Sequence, residues 1–317
     1  MNYRKMISKT LIGALITGIA LFPSNTATAA GYSQPKTAPY IFSESASSSF
    51  ESKINNLNLI DEAYENMMAK ENYIVELISR HSGQNTSFDK WKYNLSYLQK
   101  NYDEIMSIDN INKFYVDSYI EDYEIVTQTQ NMPLSRDNSG QNNLSSYSTY
   151  SANAAVTYAT NYAMNYNSAY PDWNSYGGDC ANFVSQCLYA GGKSMKGTPG
   201  TSAEADNWSN WFSRGNTCNV RNVSSTWRGA NAFRNFWQSN SNGYRTFSST
   251  GSSAFNYAKV GDAISLLNSN GSAYHTLIII KKHSASNDFT VAAHTSNTKT
   301  KKLSEYSLSG GFIIYKM

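Results

Sequence analysis

The chain has 317 residues, room for two domains and a sizeable core, and a formal net charge of only +3. Its 26 basic residues are scattered rather than run together, so nucleic acid is not the natural partner. Three cysteines are too few, and odd in number, for a disulfide scaffold; no pair has zinc spacing, and the four histidines form no close ligand motif, so no metal or cofactor is expected.

At the start, Arg4, Lys5 and Lys9 precede an apolar run from Leu11 to Phe22. A proline and the small-residue track Thr26-Ala27-Thr28-Ala29-Ala30 follow. This pattern predicts a signal peptide over residues 1–29, cleaved after Ala29, and hence a secreted or cell-wall-associated protein. Residues 30–48 are rich in Ser, Thr, Ala and Pro and read as disordered. Ile54, Leu57, Ile60, Ala63, Met67 and Met68, then Ile74, Leu77 and Ile78, keep helical spacing. A second helix is expected from Phe88 to Met106, after a polar loop at Ser82–Ser87. Phe114 to Gln128 fits a strand or hairpin about as well as a helix. Residues 49–130 thus read as a small, mainly helical accessory domain, and the polar stretch 131–150 as a linker.

Charge divides along this boundary. Residues 31–135 hold eight basic and fifteen acidic residues, a net −7, whereas residues 136–317 hold fifteen basic and eight acidic, a net +7. A basic second half suits association with an anionic surface polymer such as cell wall, although solvated charge alone also accounts for it.

Residues 151–317 carry the chemistry. A helix begins near Ala152. An aromatic loop, Asn165 to Trp173, leads to Gly177-Gly178-Asp179-Cys180-Ala181-Asn182-Phe183-Val184-Ser185-Gln186. Phe183, Val184, Cys187 and Leu188 recur at helical spacing, with Asp179 as N-cap, Cys180 at the first helical position and Gly191-Gly192 at the end. A thiol placed there feels the positive end of the helix macrodipole, which favours its thiolate. The glycines ahead of it leave room for a substrate backbone. A lone cysteine is more often a small core residue, as Cys187 is expected to be; the sequence leaves a Cys187–Cys218 bridge open. Five of the six tryptophans fall between 173 and 237. Most are expected in the core, and Trp173 in a groove. Ala230 to Gln238 looks helical.

The chain ends in strands: Lys259–Leu267, Tyr274–Lys282, Phe289–His294 and Gly311–Tyr315, joined by short connections that favour antiparallel pairing. His275 opens the second and His294 closes the third, so both fall at one edge of the sheet. A cysteine on a helix N-terminus, a histidine base on a strand and a second polar residue to orient that histidine make a triad. Cys180 is the nucleophile, His275 the base and His294 the orienter, with Asn297 as the alternative orienter. Asp179, Asn182, Trp173 and Tyr274 are expected beside the substrate.

With these residues in view, the segment Tyr158 to Gly192 resembles the signature of the putative amidase domain family of secreted Gram-positive bacterial proteins. Tyr158-Ala159, Tyr162-Ala163, Asn167, Tyr170-Pro171 and the Gly177–Gln186 block carry the resemblance. Val260-Gly261-Asp262, Tyr274-His275-Thr276 and His294-Thr295 look like its later motifs. Ala181 stands where a hydroxyl residue is common. The resemblance implies an α+β, papain-like domain, similar to NlpC-type peptidases and CHAP amidases, in which a cysteine-bearing helix packs on an antiparallel sheet. It also implies attack by a cysteine on an amide, in substrates that are often peptidoglycan stem peptides or cross-links. Two other functions use the same fold: a non-catalytic cell-surface binding protein, and an acyltransferase or transpeptidase.

Overall fold

The structure is a computed structural model and describes residues 62–130, 132, 134–137 and 150–317, all within one compact unit, 59–317. The expected signal peptide and the segment 30–48 lie outside the described residues, as does most of the expected linker.

Four helices come first: α1 (Glu62–Ser82), α2 (Trp91–Lys100), α3 (Tyr102–Met106) and α4 (Lys113–Thr129). The expected helix from Phe88 to Met106 is thus interrupted at Asn101. The ambiguous segment after Phe114 is helical. Val116, Tyr119, Ile120, Tyr123 and Val126 fall on one stripe of α4 and are all buried against Ile74 and Ile78 of α1 and Leu95 and Leu98 of α2. Each fully buried Leu or Ile in such a cluster contributes about 1.5–3 kcal/mol by leaving water. Trp91 and Tyr123 stack at 5.1 Å across the bundle.

The remainder includes α5 (Ala152–Tyr162), α6 (Cys180–Ala190), α7 (Ala230–Asn240) and α8 (Ser252–Tyr257), two short helical turns at Ser202–Ala205 and Ser225–Arg228, and a six-stranded sheet. Its strands are β1 (Ser135–Asp137), β2 (Gly243–Phe247), β3 (Ala263–Leu267), β4 (Ala273–His283), β5 (Asp288–Ala292) and β6 (Phe312–Tyr315). Their order is β1-β2-β6-β3-β4-β5, and every pairing is antiparallel. The fold class is therefore mixed α and antiparallel β. Three residues of the expected linker form the edge strand β1, held by Arg136, whose guanidinium donates to the carbonyls of Ser239 and Ser241.

The sheet has two apolar faces. On one, Phe183, Val184, Cys187 and Leu188 of α6 pack with Ala155 and Ala159 of α5, Phe233 and Trp237 of α7, and Ile278 and Ala292 of the strands. Trp211, Trp227 and Trp237 are core here, as expected. On the other face Leu266, Leu277, Ile279, Phe289 and Phe312 pack with Tyr257, Leu303 and Tyr306. The helical segment is tied to this part by polar side chains. Asn231 Nδ2 donates to the Asp122 carbonyl at 2.6 Å, and Asn270 Nδ2 donates to the Tyr123 hydroxyl at 2.9 Å and the Phe88 carbonyl at 3.0 Å.

Candidate active site

The turn into α6 needs its two glycines. Gly177 and Gly178 have φ of +92° and +121°, where a side chain is strained. Space also forbids one: a Cβ on Gly177 would lie 2.7 Å from Phe114 Cζ, and a Cβ on Gly178 2.9 Å from Thr295 Oγ1. The close approach is thus filled by the protein itself.

Asp179 occupies the N-cap position, and its carbonyl accepts the Phe183 N–H at 2.9 Å. Its carboxylate does not cap the helix. Oδ1 accepts the Trp173 N–H and the Asn182 Nδ2 amide, both at 2.8 Å; Oδ2 lies 2.6 Å from His294 Nδ1. The Asp179 N–H donates to Thr295 Oγ1 at 2.8 Å. Every polar atom of this buried residue is therefore engaged, and Cys180, the first residue of α6, follows directly. Cys180 is 6% exposed.

His275 lies in β4 opposite Leu266 of β3 and is 0% exposed. Leu277 and Ile279, on its side of the strand by alternation, belong to the second apolar face, and the Tyr306 ring lies 5.7 Å from the imidazole. Ile278 pairs with Ala292, the last pair of the β4–β5 ladder, and Thr295 follows in the left-handed turn beyond β5. Thr295 in turn holds the Asp179 N–H. The topology thus brings the turn before Cys180 and the start of β4 to one corner of the sheet.

Other expected site residues have structural partners. His294 does not orient His275: its Nδ1 meets Asp179 and its Nε2 lies 2.8 Å from the Tyr162 carbonyl, which occupies both nitrogens. Its ring stacks on Phe183 at 4.1 Å, and the Tyr166 ring lies tilted against it at 4.3 Å. Asn297, the alternative, accepts from the Tyr166 hydroxyl at 3.2 Å. Asn182 is buried and bonded to Asp179, the Pro171 carbonyl and Trp227 Nε1, so it does not face a substrate. Asp179 is likewise consumed by protein groups. Trp173 lines no groove: it is 3% exposed, with the Arg228 guanidinium 5.2 Å from its ring. Tyr274 donates its hydroxyl to the Ser307 carbonyl at 2.7 Å and meets the Tyr64 ring edge-on at 5.6 Å.

Three further residues reach this corner from the helical segment. Tyr64 meets Tyr274, Phe114 meets Gly177, and Glu62 forms a reciprocal pair with Ser296. Glu62 N–H donates to Ser296 Oγ at 2.8 Å, and Ser296 N–H donates to Glu62 Oε2 at 3.2 Å. Local patterning carried no signal for these contacts, because each joins residues from distant parts of the chain.

All three cysteines are free thiols, so the Cys187–Cys218 bridge is not formed. Burial pushes the Cys187 thiol well above its ordinary value. Cys218, half-buried, donates to the Asp172 carbonyl at 3.0 Å, and burial, reinforced by Asp172 and Asp179, raises it too. Neither environment favours a thiolate. In the Val260-Gly261-Asp262 motif, burial lifts Asp262 to about 6, against the backbone N–H groups of Lys259 and Met317 that it accepts. That motif holds the backbone N–H groups of Lys259 and Met317.

A helix opened by Cys180 and packed on an antiparallel sheet defines a mixed α+β domain. The chain belongs to the putative amidase domain family, whose model matches residues 149–314. A hydrolase role on amide bonds follows from that membership. No curated protein and no solved structure matches the chain.

Proposed function

We propose that the protein is an exported cysteine amidohydrolase of papain-like type, acting on an amide in cell-wall peptide or a related peptide. The observation that carries this reading is the position of Cys180: the first residue of α6, immediately after a fully bonded Asp179, at the corner that holds the start of β4. The family membership supports amide chemistry, and the Arg4–Ala30 pattern supports export to the cell surface.

In this mechanism Cys180 Sγ, as thiolate, attacks the amide carbonyl carbon. The Cys180 N–H, at the helix N-terminus, donates to the resulting oxyanion. One such donor is typically worth about 3 kcal/mol of barrier. His275 holds the thiol proton and passes it to the leaving nitrogen, so the C–N bond breaks and a thioester remains. Water then attacks the thioester, His275 takes its proton, and the carboxylic product leaves as Sγ is regenerated.

The decisive experiment follows amide release from peptidoglycan fragments by wild type and Cys180→Ser. Loss of release in the variant is expected; equal release excludes this nucleophile. One observation favours the second function, a non-catalytic surface binder: Cys180 and His275 are 6% and 0% exposed. A binder retains fragments without turnover, and its Cys180 is alkylated no faster than Cys187 or Cys218.

A further inference from the structure

We propose that Asp179 and His294 form a positioning pair that aims the peptide N–H and sulfur of Cys180, an assignment that rests on the amidohydrolase reading above. The geometry fixes the protons. Tyr162 presents a carbonyl oxygen, which only accepts, so His294 Nε2 carries a hydrogen. Asp179 Oδ2 faces Nδ1 at 2.6 Å, so one more proton lies between those two atoms. The ring is thereby strung between α5's last residue and the residue before the nucleophile, with Phe183 stacked on it and Tyr166 tilted against it.

The other oxygen of Asp179 is pulled by Trp173 and Asn182, and Asn182 is itself anchored on Pro171 and Trp227. Asp179 N–H is held by Thr295, whose own backbone is left-handed at φ 58°. Two nearby residues, Trp173 and Asn182, and the distant pair His294 and Thr295 converge on one residue. That residue's ψ, 5°, sets the plane of the Asp179–Cys180 peptide and hence the direction of the Cys180 N–H. A reacting carbonyl needs that donor and the sulfur aligned together, and a displacement of about 1 Å at such a site costs about 100-fold in rate. His294 therefore acts through Asp179 and touches no substrate.

The test separates hydrogen-bonded positioning from both charge and simple folding. Asp179→Asn can keep every bond: its Oδ1 accepts from Trp173 and Asn182, and its Nδ2 donates to a neutral His294 that still donates from Nε2 to Tyr162. Turnover of peptidoglycan fragments is measured for D179A, H294A and D179N, with thermal unfolding in parallel. D179A and H294A are expected to lower kcat about 100-fold with KM changed by less than about threefold, and D179N to recover at least about tenfold of the loss. Three results overturn the proposal: a folded alanine variant with wild-type kcat, a loss that falls on KM, or D179N as impaired as D179A. If the alanine variants do not fold, H294Q decides. It keeps a donor for only one of the two acceptors, so kcat well below that of D179N is expected, and equal kcat overturns the proposal. An active C180S would instead remove the amidohydrolase reading itself.

Discussion

His294 Nδ1 and Asp179 Oδ2 lie 2.6 Å apart, with both side chains inside the protein and 115 positions between them in sequence. Asp179→Ala removes the acceptor from a buried partner and also orphans the Trp173 N–H and the Asn182 amide. Breaking one side of such a buried pair costs about 3–5 kcal/mol. Urea unfolding is expected to show a loss of that size for D179A and about 1 kcal/mol for D179N, which retains neutral hydrogen bonds. Equal midpoints for D179A and wild type would show that the pair contributes nothing to folding.

The three thiols are expected to differ sharply in reactivity. Iodoacetamide at neutral pH should modify Cys180 ahead of Cys187, whose burial raises its thiol well above the ordinary value. Site-resolved mass spectrometry gives the order of labelling. In turnover, C180S should fall at least about 1000-fold, while C218S should remain within about twofold because Cys218 only donates to the Asp172 carbonyl.

Gly178→Ala should damage both folding and turnover. Its φ of +121° strains any side chain, by about 1–3 kcal/mol, and the new Cβ presses on the hydroxyl that holds the Asp179 N–H. Gly200→Ala, which also has positive φ but meets no atom within 4 Å, is the control for strain alone. If the two variants match in stability and turnover, the contact with Thr295 is unimportant.

Glu71 provides a pH signature. Burial raises its carboxyl to about 7, against the pull of Lys70 and of the Tyr123 hydroxyl, which donates to Oε1 at 2.7 Å. The folded state thus holds the proton more tightly than the unfolded chain does. Stability from this group is fully present below about 4.5, falls as pH rises toward 7, and is flat above. A rise from 4.5 to about 7 corresponds to about 3 kcal/mol. Glu121, at about 7, and Asp262, at about 6, act in the same direction, so the difference between wild type and Glu71→Gln isolates Glu71. Denaturant midpoints from pH 4 to pH 8 should show wild type losing about 3 kcal/mol relative to E71Q; parallel curves would refute it.

Local patterning determined much of this molecule. Phe183, Val184, Cys187 and Leu188 recur at the spacing that buries one helix side, and they are core residues of α6. The short connection between the strands holding Leu277 and Val291 made them antiparallel neighbours, because a tight turn can join adjacent strands only in that sense. The Gly-Gly-Asp-Cys block marked the helix start, since two residues of positive φ are needed there. Each of these features depends on residues within a few positions of one another.

Tertiary structure alone decided what the polar residues near that block do. Asp179 and Asn182 read as groups beside a substrate and His294 as the orienter of His275, yet their partners are a main-chain carbonyl at Tyr162, a hydroxyl at Thr295 and an indole at Trp227. Trp173 likewise reads as a groove residue and lies beneath Arg228. A buried polar group must be hydrogen-bonded, but any distant segment can supply the bond. Periodicity records which side of an element leaves water; it carries no address for the atom waiting on the other side.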